Sequence, residues 1–154
     1  MGGMQQDIRL LISRAARTTT RYFGDRASEV DLSIVQAQAL LVLTEQPGLS
    51  LGMLARELSK DQASTSIVID RMMTLGLVRR ETDPDDRRRA LLFVTTQAQP
   101  LVQHMQRVRD EINGMVLEAI GPEKSEALEG LLVQLLAVIE DSEASPSGAR
   151  EEST

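Results

Sequence analysis

Apolar residues recur at three- and four-residue steps along most of this chain, and the places where that rhythm breaks separate its elements. From about Gln5 to Phe23 the residues Ile8, Leu11, Ile12, Ala15, Thr19, Tyr22 and Phe23 form one helical stripe. Arg9, Arg14, Arg17 and Arg21 fall largely on the other faces, and Gly24-Asp25 predicts the stop. Ser33 is placed to cap a second helix, Ile34 to Glu45. Its run Ala37, Ala39, Leu40, Leu41, Val42 and Leu43 is apolar on most sides, which predicts burial, and Pro47-Gly48 ends it. Ser50 then caps a third helix, Leu51 to Leu58, with Leu51, Leu54, Ala55 and Leu58 inward. Asp61 caps a fourth, Gln62 to Leu75, which Gly76 terminates. Thr65, Val68, Ile69 and Met72 share one face of the fourth helix. Gln62, Ala63, Ser66, Ile67 and Asp70 share the opposite one.

After a Gly-Leu-Val break the helical rhythm stops. Leu77 to Thr82 and Ala90 to Thr95 are short runs suited to an antiparallel pair, separated by the hydrophilic tip Asp83-Pro84-Asp85-Asp86-Arg87-Arg88-Arg89. Two more helices follow. Pro100 sits in the first turn of the fifth, whose stripe is Leu101, Met105, Val108, Ile112, Met115, Val116 and Ala119, ending at Gly121. Pro122 opens the sixth, with Leu128, Leu131, Leu132, Leu135, Leu136 and Ile139. Residues 142–154, SEASPSGAREEST, read as a disordered acidic tail.

Helix, helix, strand, turn, strand is the order of a winged helix-turn-helix. The expected fold is therefore mainly α with a small β-hairpin wing. It is one domain over residues 1–141, with the winged lobe at about 33–96. Helices at about 5–23, 99–120 and 122–141 flank that lobe. Their stripes are wide, and a subunit of this size has little to cover them with, so pairing of two copies through the terminal helices is expected. The alternative is packing on the second helix within one subunit.

Composition refines this picture. The chain has no cysteine, which removes disulfides and thiol chemistry. One histidine and no HExxH spacing argue against a metal site, and no cofactor is expected. No apolar run approaches a membrane span, and MGGMQQDIRLL lacks the regions of a signal peptide, so a cytoplasmic protein is expected. Aromatics are only 2% of residues, leaving the core to aliphatic side chains. The net charge of −6 looks unsuited to nucleic acid until it is mapped: residues 50–96 carry eight basic and seven acidic side chains. That stretch is +1 and the remainder −7, and local charge governs phosphate attraction because salt screens it within about 8 Å. Arginine outnumbers lysine 15 to 2, which suits bidentate contacts to phosphate or guanine, although a GC-rich genome would give the same excess.

A helix entering a major groove needs polar or small residues on its outer face. Gln62 and Ser66 can hydrogen-bond base edges, and Ala63 and Ile67 can pack on thymine methyls. Ile67 is apolar on the side away from the core stripe, which an ordinary solvated face does not explain. Arg71 continues the helix. Three consecutive arginines, Arg87, Arg88 and Arg89, would repel one another on a turn. The neighbouring aspartates can orient them and leave some free for a minor groove. The competing view is a self-neutralised surface loop.

The order LARELS, Ile69-Asp70-Arg71-Met72, Leu75-Gly76-Leu77-Val78-Arg79-Arg80, Asp83-Pro84-Asp85-Asp86-Arg87-Arg88 and Val94-Thr95 resembles the MarR family of bacterial transcription regulators. The resemblance covers nearly the whole chain and is densest between Leu49 and Thr96. It implies a homodimer with interlocked terminal helices and two winged lobes on a pseudopalindromic double-stranded DNA operator, acting as a repressor. In the Asp86-x-Arg88 pair the arginine would enter the minor groove and Asp86 would support the wing. Gln62, Ala63, Ser66 and Ile67 match the recognition-helix positions. Ile67 stands where many members carry a basic residue, and Ala98 where a glycine often follows the Leu-Thr pair. The resemblance also implies a small-molecule effector in a cleft beside the winged lobe, for which Arg14, Tyr22 and His104 are the candidate contacts.

An enzyme is the first rival, but no nucleophile–base pair, metal site or glycine-rich phosphate loop can be named. The second is a winged-helix protein-interaction module without sequence-specific DNA binding, since fold does not fix function. An arginine-rich wing argues against it.

Overall fold

The computed structural model describes residues 7–144, with side chains through residue 141. Its elements in order are α1 (Ile8–Ser28), α2 (Ile34–Glu45), β1 (Leu49–Ser50), α3 (Leu51–Glu57), α4 (Gln62–Thr74), β2 (Val78–Thr82), β3 (Ala90–Val94), a 3-10 turn (Thr96–Ala98), α5 (Gln99–Ile120) and α6 (Pro122–Ala144). The expected class, mainly α with a small antiparallel wing, is the observed one. The fold divides into two compact units between Glu111 and Ile112.

In the first unit most helix starts are set by side-chain caps. The Asp7 carboxylate accepts the Arg9 N–H at 2.9 Å and starts α1, a signal that the apolar stripe alone does not carry. Ser33 caps α2 through a reciprocal box with Gln36: the Ser33 hydroxyl accepts the Gln36 N–H, and the Gln36 side chain accepts the Ser33 N–H at 2.9 Å. Ser50 and Asp61 cap α3 and α4. α4 ends as the glycine after it requires. Gly76 has φ +70, its N–H bonds to Met73 and that of Leu77 to Met72, a left-handed cap that a side chain would strain.

The other informative glycine overturns an expectation. α1 does not stop at Gly24-Asp25 but continues to Ser28. A Cβ at Gly24 would lie 2.7 Å from the Ile34 side chain, so this glycine lets α1 and α2 approach closely. A glycine tolerated inside a helix for packing looks the same in sequence as one that ends it.

The core is aliphatic and central to the winged lobe. Leu40 and Leu43 of α2, Leu54 of α3, Ile69 and Met72 of α4, Leu92 of β3 and Met105 of α5 are all fully buried. Ala98, in the 3-10 turn, is also buried and leads into α5. Val102 is buried alongside Met105 and Val108, one position from the expected Leu101, which is half-buried. The sheet has order β1-β3-β2 and is antiparallel throughout, with Val78 opposite Val94 and Thr82 opposite Ala90. β1 was not expected from sequence. Two residues carry no periodicity, and Leu49 and Ser50 become a strand only by pairing with Leu92 and Leu91.

In the second unit, the end of α5 and α6 meet at Gly121, which has φ +81. α6 continues through Ala144, three residues past the expected end at residue 141, because Ser142, Glu143 and Ala144 do not interrupt a helix. The rest of the acidic tail, residues 145–154, lies outside the described residues. No residue of α6 whose side chain is described is buried.

Candidate nucleic-acid interface

The fourth helix is aligned by its cap. The Asp61 carboxylate accepts the Ser64 N–H at 2.8 Å and the Ser64 hydroxyl at 2.7 Å, and the Thr65 hydroxyl donates to the Asp61 carbonyl at 2.8 Å. Those bonds to Ser64, backbone first, hold the Asp61 carboxyl below its ordinary range. Thr65, Ile69 and Met72 anchor the inner face. Gln62, Ala63, Ile67 and Arg71 are exposed on the outer one, and Ser66 is half-buried between them. Ile67 is 72% exposed, an unusual state for a large aliphatic residue. One helix face thus presents an amide, a methyl, a hydroxyl and a branched alkyl group, followed by a guanidinium. A groove of about 530 Å³ opens beside Ile67 and Arg71, walled by Ser28, Asp31, Ser33 and Gln36.

Between the strands, the wing tip is organised by its aspartates. Asp86 accepts the Arg88 N–H at 3.0 Å through its carboxylate, and its carbonyl accepts the Arg89 N–H at 2.9 Å. Asp83 accepts the Asp85 N–H at 2.9 Å, and its own N–H bonds to the Arg89 carbonyl. The three arginines part company here. Arg89 donates to the Met53 sulfur at 3.2 Å and lies 3.9 Å from the Asp83 carboxylate. Arg87 and Arg88 are exposed and make no ion pair or side-chain hydrogen bond among the described residues. The hairpin's root is tied to the end of α4: the Thr95 hydroxyl donates to the Gly76 carbonyl at 2.6 Å, and the Thr95 N–H bonds to Leu77. Along the strands Arg80 pairs with Asp70 at 3.5 Å. Arg79 pairs with Glu81 and stacks 4.8 Å over the Phe93 ring. Arg79 and Arg80 are therefore committed to protein partners. Met53 and Thr95 are the site-building residues that sequence reasoning missed. Met53 carried no signal there, whereas Asp83 is among the aspartates expected to orient the arginines, and its spacing to Asp85 is one that such turns favour.

The three residues expected to contact an effector are not brought together. Arg14 lines an open cleft of about 950 Å³ with Arg17, Arg21, Gly24, Ser33 and Ile34. Tyr22 and His104 instead meet at Arg26. The Arg26 guanidinium donates to the Tyr22 hydroxyl at 3.3 Å and pairs with Glu29 at 3.0 Å, while Tyr22 donates to Glu111 at 3.2 Å. Tyr22 and then Glu29 hold the Arg26 charge firmly in place, raising its pKa. His104 Nε2 lies 3.2 Å from the Arg26 carbonyl, which requires its proton on Nε2. Both residues thus have protein partners. Among the described residues, no group of three or more His, Asp or Glu could hold a metal ion, and no helix is long and apolar enough to cross a membrane.

Comparison with known proteins puts the same region in focus. The profile of the MarR family matches residues 30–89, the winged part of the chain. A protein of Thauera aromatica assigned as a transcriptional regulatory protein for the hcr operon is 33% identical over 114 residues. That match spans 73% of this chain and 66% of the relative. Two solved structures share the fold. Bordetella bronchiseptica BpsR, whose DNA binding is regulated by 6-hydroxynicotinic acid, superposes with a TM-score of 0.73 at 24% identity, covering 88% of this chain and 96% of its own. MepR of S. aureus, in complex with DNA, gives 0.76 at 20% identity, covering 87% and 99%. The residues shared with a relative one-third identical, together with the profile that marks the winged lobe, show that the chain belongs to the MarR family, a family of transcription regulators rather than enzymes.

Proposed function

We propose that this chain is a sequence-specific DNA-binding transcriptional regulator, a cytoplasmic repressor that binds a pseudopalindromic operator as a homodimer. The observation that carries the reading is the wing. Asp86 fixes the turn by accepting the Arg88 N–H, and Arg87 and Arg88 stand exposed without side-chain partners among the described residues. Unpaired guanidiniums at the end of a narrow hairpin suit a minor groove, where the potential is most negative. The outer face of α4 then reads the adjacent major groove. Gln62 and Ser66 hydrogen-bond base edges, Ala63 and Ile67 pack on thymine methyls, and Arg71 reaches a phosphate or guanine.

Dimerisation follows from the terminal helices. Ile8, Leu10 and Leu11 of α1, Met115 and Leu117 of α5, and Leu131, Leu136 and Val138 of α6 are all exposed. A second copy of the chain that covers them would place two winged lobes on one duplex, and a two-fold protein reads a two-fold site. The single-domain organisation over residues 1–141 is part of the same proposal. The cleft lined by Arg14 is the place for a small-molecule effector, with the regulation of BpsR by 6-hydroxynicotinic acid as support.

The test is binding to operator and random duplexes across a salt series. A steep fall of log K with log salt and a clear preference for the operator are expected. Binding that ignores salt would instead favour a protein-interaction module.

A further inference from the structure

Three adjacent arginines at a wing tip look interchangeable in sequence, but the structure separates one of them. Arg89 Nη2 donates to the Met53 sulfur at 3.2 Å, across 36 positions of sequence. Its Nε faces the Asp83 carboxylate at 3.9 Å, and the Asp83 side chain is only 13% exposed. Its backbone closes the tip at both ends, accepting from Asp83 and donating to Asp86, each at 2.9 Å. At the far end of this link the Met53 side chain is 44% exposed, and its backbone is fixed. Met53 lies in the first turn of α3, where its N–H bonds to the Ser50 hydroxyl at 3.3 Å, and Ser50 belongs to β1, paired with Leu91 of β3. Arg89 therefore joins the tip of a two-stranded hairpin to the first helix of the helix-turn-helix. Without that link the tip would be held only by its own turn and by strands rooted at Thr95.

Resting on the DNA-binding reading above, we propose that Arg89 is a positioning residue rather than a DNA contact. It straps the wing to α3 through Met53, and so sets where Arg87 and Arg88 meet the duplex relative to the outer face of α4. A long guanidinium suits this role because it can serve the sulfur and the carboxylate at once, which the single ammonium of a lysine does less well. Met53, an uncharged residue, becomes a determinant of DNA affinity through the strap.

The experiment compares Arg89→Ala, Met53→Leu, their double variant and Met53→Gln in the full-length protein, on a duplex selected by the parent. Met53→Leu keeps the apolar volume and loses the sulfur acceptor. It should weaken binding about three- to tenfold, as Arg89→Ala does. The double variant should bind no more weakly than Arg89→Ala alone. Met53→Gln, which restores an acceptor, should recover affinity. The salt slope of Met53→Leu should equal the parent's. In Arg89→Ala and Met53→Leu the wing N–H groups of Asp83, Asp85, Arg88 and Arg89 should exchange with solvent faster while thermal unfolding stays close to the parent. The proposal is overturned if Met53→Leu binds and exchanges like the parent, or if Arg89→Ala alone loses affinity with a slope shallower by about one phosphate contact. If the parent shows no salt-dependent binding at all, the DNA-binding reading fails instead, and the wing exchange rates still decide whether the strap exists.

Discussion

α2 and α6 are both rich in aliphatic residues, and they end up in opposite states. In α2, Ala37, Ala39, Leu40 and Leu43 are at most 1% exposed, enclosed by helices and strand of the winged lobe. In α6, Leu131 and Val138 are each 63% exposed and Leu136 is 56%. The difference lies in what stands opposite each helix. α2 is apolar nearly all round, so every side needs a neighbour, and the lobe is built around it. α6 has one wide apolar stripe, with Glu126, Glu129 and Glu140 elsewhere on its surface. Burying a large aliphatic side chain is worth roughly 1.5–3 kcal/mol, so a stripe left open is a strong reason to associate. Apolar periodicity tells where a helix is, and the completeness of its apolar surface tells whether one chain can finish it.

The most severe way to break the contrast is to remove α6. A chain ending before Glu123 should lose the dimer, giving a monomeric or unstable product by light scattering and thermal unfolding. A stable dimer after that truncation would mean that α6 contributes nothing to pairing. Single substitutions then sharpen it. Leu40→Ala should cost about 2–5 kcal/mol in denaturant unfolding, because the enclosed site cannot collapse around the cavity. That loss should not depend on protein concentration. Leu131→Ala should behave in the opposite way, with little effect on a concentrated sample and a growing one on dilution, as expected when the residue acts through association. Equal concentration dependence for the two would erase the distinction.

A third variant separates reading from pairing. Arg88→Ala should weaken operator binding by about 1–3 kcal/mol while unfolding and dimerisation remain those of the parent. If affinity is unchanged at every salt concentration, the wing assignment is wrong. A smaller effect is expected at Ile67. Replacing thymine by deoxyuridine in the bound half-site removes methyl groups, each worth about 0.8 kcal/mol if buried. The parent should respond to that replacement and Ile67→Ala should not. A parent indifferent to deoxyuridine would remove the methyl contact from the recognition scheme.

Much of this architecture was legible because its determinants are local. Ser33, Ser50 and Asp61 announce helix starts through cap chemistry confined to three residues, and Gly76 announces an end through a backbone angle that it alone adopts readily. What escaped depends on partners distant in sequence. Gly24 serves the approach of Ile34, β1 exists only against β3, and Arg89 differs from Arg87 and Arg88 because it reaches Met53 as well as Asp83. The same limit explains the candidate effector residues. Tyr22 and His104 drew attention as the only residues of their kinds, yet a rare residue is as readily used by its own chain, here around Arg26, as by a ligand.

The subtlest test concerns the helix that carries the reading face. Asp61 caps α4 as a carboxylate, and its bonds to the Ser64 N–H and hydroxyl hold its pKa below the ordinary value of 3.8. A carboxyl whose folded pKa is depressed contributes stability that is whole above the unfolded value and is lost as pH falls through the folded one. The cap is therefore complete at neutral pH and should fail only on the acid side. Asp61→Asn keeps an acceptor for the Ser64 N–H but cannot titrate. At neutral pH it should unfold close to the parent, differing by the lost charge at the positive end of the helix. Followed from about pH 6 down to about pH 2, the parent's melting temperature should fall more steeply than that of Asp61→Asn, because only the parent takes up the extra proton on unfolding. Parallel curves for the two proteins would show that the charge of Asp61 does not stabilise the helix, and that hydrogen-bond geometry alone aligns Gln62 to Arg71.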